Sequence, residues 1–164
     1  MATVLSREKG LLIVREQRSN MPSLTKLGSF TREHVVVVAQ IVGEDPKAFA
    51  LRVLGRARRE MVKGHVPSAV VVCVDADVPS SVLEQRKKLL LALAEILGIR
   101  PDIELTILAP SRCGAHDQLA LFSLVEAVVQ AAPSVNVRLS FGDSADQSRQ
   151  RRRSAKGNRQ PAAA

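Results

Sequence analysis

Residues 34–46 read HVVVVAQIVGEDP. From His34 to Val42 the run is β-branched and apolar on both faces, the pattern of a strand in the middle of a parallel sheet. Gly43-Glu44-Asp45-Pro46 then breaks the run and opens a helix. Asp45 is placed to cap that helix, and Pro46 stands at its first position, where a missing N–H costs nothing. The helix is predicted to continue to Lys63 and to stop at Gly64. A buried strand feeding directly into a helix is half of a β-α-β unit, and the chain on the C-terminal side repeats it.

Ala69 to Val74 is predicted as a second buried strand, and Asp75-Ala76-Asp77-Val78-Pro79-Ser80-Ser81 leads from it into a second helix ending at Gly98. Ser81 and Glu84 have the spacing of a capping box at its start. Ile103 to Ala109 reads as a third strand and Ala115 to Ala131 as a third helix. Val135, Val137, Leu139 and Phe141 alternate with Asn136, Arg138 and Ser140, so a last strand is wet on one face and belongs at or near a sheet edge. The alternation predicts an α/β fold of the Rossmann/flavodoxin-like class. Its mostly parallel sheet has four to five strands, with helices on both faces in three layers and right-handed crossovers.

On the N-terminal side, Gly10 to Glu16 (GLLIVRE) offers one more strand, expected at an edge and antiparallel, and Ser19 to Ser29 reads as loop. The expected organisation is an N-terminal extension over 1–33, one α/β domain over 34–142 and a disordered basic tail over 143–164.

A chain of 164 residues, 46% hydrophobic and 24% charged, is sized for one domain with an ordinary core. That composition excludes wholesale disorder, collagen-like repeats and a disulfide framework. The formal net charge of +8 suggests a nucleic-acid partner until it is divided along the chain. Residues 149–164 carry six cations and no acid, whereas residues 34–148 hold twelve basic against thirteen acidic side chains. Cys73 lies in an apolar run and Cys113 in a turn, and no Cys-His set has metal-site spacing, which fits a reducing cytoplasm. The first residues mix charges without an apolar core, unlike a secretory signal, and no stretch approaches the roughly 20 apolar residues of a membrane span. The expectation is a soluble cytoplasmic protein without membrane association.

In open α/β sheets ligands bind beyond the carboxyl ends of the strands, where helix N-termini present free N–H groups. Most of this chain's polar chemistry falls on that rim. Glu44, Asp75 and Asp77 are candidates to hold Mg²⁺ for phosphoryl transfer, since carboxylates supply hard oxygen ligands. Glu44-Asp45 followed by Asp75-Ala76-Asp77 resembles the acidic pattern of Toprim-type nuclease and primase domains, which implies a Mg²⁺-dependent nuclease or phosphotransferase. The pattern departs from that family in two ways: Gly43 precedes its acid instead of following it, and the Asp-x-Asp pair comes one strand early. Cys113, with Arg112 beside it and His116 three residues on, is a candidate activated thiol. Ser80 and Ser81, with Arg86 and Arg112, are candidates for an anion. Arg86 falls in the apolar stripe of the second helix, so it needs a partner, expected to be Asp75 or Asp77. Gly-rich nucleotide-binding loops are absent from the sequence.

Two helix faces complete the candidates. In the first helix Arg52, Arg56, Arg59 and Lys63 line up opposite the apolar face, a row suited to phosphates or an acidic partner. Arg151, Arg152 and Arg153 in the tail suit weak, non-specific nucleic-acid contact. The chain has no Trp or Tyr, which removes the stacking platforms of single-strand readers. The third helix is nearly uncharged. Opposite a core stripe of Leu121, Val125, Val128 and Val129 it carries Ala120, Ser123, Ala127 and Ala131, small residues that let a partner or second copy approach. Because the catalytic sets are incomplete, the favoured expectation is a small, non-catalytic regulatory or adaptor domain that binds a protein partner or itself. No cofactor is expected, and Mg²⁺ enters only with the nuclease or phosphotransferase alternative. A nucleic-acid-associated protein acting through its basic tail is the third reading.

Overall fold

The computed structural model describes residues 10–17, 19, 35–97 and 103–142. The elements follow as β1 (Gly10–Arg15), β2 (Val35–Ala39), α1 (Pro46–Val62), β3 (Pro67–Cys73), α2 (Ser80–Leu97), β4 (Glu104–Ala109), α3 (Ala115–Ala131) and β5 (Asn136–Phe141). All five strands are parallel, in the order β2-β1-β3-β4-β5. This is the flavodoxin-like order, and the fold is of the Rossmann/flavodoxin-like α/β class.

Of the first 33 residues, Gly10–Arg15 form β1, which lies inside the sheet. It pairs in parallel with β2 (Leu11 opposite Val35) and with β3 (Leu11 opposite Ala69), which corrects the expectation of an antiparallel edge strand. Leu11, Leu12, Ile13 and Val14 are exposed by 3% or less, so this short run is apolar because both of its faces are covered. β2 takes the edge instead of the centre, and there Val37 is 44% exposed. Unbroken apolarity marks a strand of a parallel sheet without separating edge from centre. β5 occupies the other edge, as its alternation indicates.

The steps from β2 to β3, β3 to β4 and β4 to β5 all run in one direction across the sheet, so right-handed crossovers bring α1, α2 and α3 to one face. Phe49, Val53, Leu90, Leu93, Leu124 and Val128 pack there against Leu12, Val14, Val70, Val72, Leu105 and Ile107. On the opposite face Leu11, Ile13, Val71, Cys73 and Leu108 form a second buried cluster.

Local signals set the helix ends. The Asp45 carboxylate accepts from the Lys47 and Ala48 N–H groups, and α1 stops before Gly64, whose φ of +82° is left-handed. The expected Ser81–Glu84 box is displaced. α2 begins at Ser80, and its first N–H groups, from Val82 and Leu83, donate to the Pro79 carbonyl, so Ser81 already lies within the first turn. Among the described residues no helix is long and apolar enough to cross a membrane.

Candidate functional site

The carboxyl ends of β1 and β3 lie side by side where the chain reverses its direction of travel across the sheet, the place where ligands bind in folds of this order. Here that place is occupied by the protein itself. Glu16 directly follows β1, and its N–H donates to the Cys73 carbonyl at 3.0 Å, extending the ladder. Its carboxylate receives Arg86 of α2 in a fork, Nη2 to Oε1 at 2.6 Å and Nε to Oε2 at 2.8 Å. The Asp75 N–H donates to Glu16 Oε1 at 2.8 Å, and Arg86 Nη2 also donates to the Asp75 carbonyl at 3.1 Å. The Glu16 carbonyl in turn accepts from both the N–H and the hydroxyl of Ser19. The Arg86 side chain is 3% exposed and that of Glu16 10%, so this is a buried, bidentate pair with its charges matched.

Arg86 therefore has a bidentate carboxylate partner other than the two expected: Glu16 supplies that charge, and Asp75 accepts from Arg86 at its main-chain carbonyl. The legible signal was a glutamate closing an apolar strand, which carries weight once that strand is known to be internal.

The acidic candidates do not converge. β1 separates β2 from β3, so Glu44 and Asp75 follow strands that are not neighbours. Glu44 is committed to the loop before α1. Its Oε1 accepts from the Ile41 N–H at 3.1 Å, and its two oxygens take Arg52 Nη2 at 2.8 Å and Nε at 3.0 Å. The Arg52 bond holds the Glu44 carboxyl below its ordinary range, with the Ile41 N–H adding to the effect. Asp77, at φ +53°, donates its N–H to Asp117 Oδ2 and so ties the loop after β3 to the start of α3. Among the described residues no group of three His, Cys, Asp or Glu side chains is arranged to hold a metal ion.

Cys113 is partly buried in the loop that leads to α3, near those same two aspartates. Burial pushes its thiol above the ordinary range, and the negative charges of Asp117 and Asp77 push it further. That is the opposite of the activation expected from Arg112 and His116, both of which are exposed. A measurable consequence follows: alkylation of Cys113 by iodoacetamide near pH 8 is expected to be slower than that of an unstructured cysteine peptide. Its pH profile should be displaced to the alkaline side, and a rate equal to or above the peptide's contradicts this assignment. Ser80 and Ser81 are also exposed, at the start of α2.

The basic row on α1 is partly neutralised. Arg52 is bound to Glu44 and to the Ala39 carbonyl, and Arg56 donates to Glu60 at 3.0 Å. Glu60 also meets His65 at 3.1 Å. Burial alone would raise the Glu60 carboxyl, but the His65 bond and the nearby Arg56 and Lys63 charges bring it below its ordinary value. Arg151, Arg152 and Arg153 lie outside the described residues.

On α3 the structure divides two faces that sequence merges. Ala120 and Ser123 border a shallow groove of about 320 Å³ shared with Leu83, Glu84, Arg86 and Lys87 of α2, while Ala120 and Ala127 are half-buried. The other flank of α3 carries the large apolar side chains: Leu119 is 67% exposed, Phe122 54% and Val129 44%. Val129 thus leaves the core stripe to which its spacing assigned it. Phe122 meets Phe141 of the edge strand β5 edge-to-face, at 6.3 Å between ring centres. Comparisons with protein-family models and with curated proteins each return no match.

Proposed function

We propose that this chain is a non-catalytic interaction domain that binds protein through the outer flank of α3 and the edge strand β5, in its simplest form a second copy of itself. The observation that carries the reading is the run of exposed Leu119, Phe122 and Val129 on a helix whose one charge past the first turn is Glu126. Monomeric domains ordinarily spread charge over such a surface. The flank adjoins an edge strand, whose outer N–H and C=O groups are a template for pairing. Two-fold homodimers are the commonest assembly of soluble domains. The switch-point crevice, filled by Glu16 and Arg86, and the raised Cys113 thiol favour this reading over the metal-dependent and thiol-based alternatives.

Sedimentation of the wild type and of Phe122→Glu tests it. The wild type is expected to sediment as a dimer in the micromolar range and the variant as a monomer, because the substitution places an unpaired carboxylate in a dry contact. In the isolated fold the change removes an aromatic pair worth about 1 kcal/mol, so the variant remains folded. A monomeric wild type, or an unaffected dimer, removes this face as a self-association surface.

A further inference from the structure

Charge in the described core is balanced in number and segregated in space. The described residues hold twelve Lys and Arg against eleven Asp and Glu, yet six of the cations, Lys47, Arg52, Arg56, Arg58, Arg59 and Lys63, lie on α1 and its C-cap. The acid within the helix is Glu60, which is buried. Arg52 and Arg56 are held by Glu44 and Glu60. Among the described residues, no ion pair engages Lys47, Arg58, Arg59 or Lys63, and all four are exposed. At 1.5 Å per residue the cations from Lys47 to Lys63 span about 24 Å of one helix.

We propose that α1 is a docking surface for the phosphate backbone of duplex nucleic acid, read without base sequence. This surface is distinct from the α3 flank and does not depend on it. Cations spread over the solvent-facing side along the whole length of α1 match a linear polyanion, and arginine, four of the six, suits phosphate through its planar fork. The one aromatic residue of α1, Phe49, is 4% exposed and packs in the core, so the helix presents no aromatic ring on which a base could stack. A lipid surface fits less well. The exposed large apolar side chains of α1, Leu51 and Val62, stand about 16 Å apart on one side of the helix with the exposed Arg58 between them, so α1 offers no continuous apolar strip to insert. The six acid-free cations of residues 149–164 add a second basic stretch to the same chain.

The test is fluorescence anisotropy of a labelled duplex titrated with the full chain, at several concentrations between about 50 and 200 mM salt. The wild type is expected to bind at micromolar concentrations with a steep salt dependence and no sequence preference. Arg58→Gln with Arg59→Gln should weaken binding at the lowest salt by roughly one to two orders of magnitude and flatten the logarithmic salt slope by about two. Lys47→Gln with Lys63→Gln, at the two ends of the helix, should act in the same direction. Lys87→Gln with Lys88→Gln, an equal charge change on exposed positions of α2, should leave the slope unchanged. Circular dichroism confirms that each variant is folded. The proposal is overturned if the wild type does not bind at the lowest salt, if the α1 pairs bind like the wild type, or if the α2 pair loses as much. It is also overturned if polyglutamate or phosphatidylserine vesicles displace the duplex at equal charge, which would assign the surface to an acidic protein or a membrane.

Discussion

Replacing Arg86 by Ala is expected to lower the unfolding free energy by about 3–5 kcal/mol, because it strands the Glu16 carboxylate in the interior without its cation. Against a total of roughly 5–15 kcal/mol for a domain of this kind, that is a large share of the stability. The loss has three parts that act together. Arg86 brings two donors to Glu16, one more to the Asp75 carbonyl, and through both it fastens α2 to the ends of β1 and β3. Glu16→Leu alone should be similarly costly, since it leaves the guanidinium unpaired. The double variant Arg86→Met with Glu16→Leu should recover most of the loss, because a well-packed apolar pair avoids the desolvation of both ions. Urea denaturation of the wild type, Arg86→Met, Glu16→Leu and their combination forms a double-mutant cycle that isolates the pair. A coupling below about 0.5 kcal/mol, the size found for exposed pairs, would show that water reaches the site and that the crevice is open to a ligand.

The legibility of this chain depended on what each signal measures. Helix positions were readable because caps and breakers are local: Asp45-Pro46 starts α1, and Gly64 ends it through its left-handed φ. The strand order was not readable, because it is decided by which runs meet across long sequence separations. Glu16 and Arg86 are 70 residues apart, and no spacing rule joins them. Arg86 showed itself as a charge within an apolar stripe, which is enough to require a partner and too little to name one. The surface of α3 was half legible. Its lack of charge was evident, but residues 120, 123, 127 and 131 face α2 or solvent beside it, and the exposed bulk lies on the flank of Phe122. Helical periodicity gives the angle between residues, and only the packed neighbours fix where that angle points. Glu44 illustrates the same limit for chemistry: an acid in a strand-to-helix turn reads as a metal ligand until Arg52, eight residues on, is seen to occupy both of its oxygens.

A chain that begins at residue 34 is expected not to fold, although the segment from there to 142 contains all three helices and four of the five strands among the described residues. Without β1 the sheet order β2-β1-β3-β4-β5 loses its second member. β2 then has no partner, and the inner edge of β3 is left with unpaired N–H and C=O groups in an apolar setting. Glu16 is lost as well, so Arg86 becomes a buried, unmatched cation. The point-mutation form of the same test is Ile13→Ala. Ile13 is 0% exposed and lies in the second cluster with Leu11, Val71 and Cys73, so its truncation opens a cavity between internal strands and should cost about 2–5 kcal/mol. Val37→Ala, on the edge strand at 44% exposure and in register opposite Ile13, should cost far less. Comparing the two by thermal denaturation separates a central β1 from a peripheral one: equal and small losses, or a cooperative melting transition in the chain lacking residues 1–33, would place β1 outside the core.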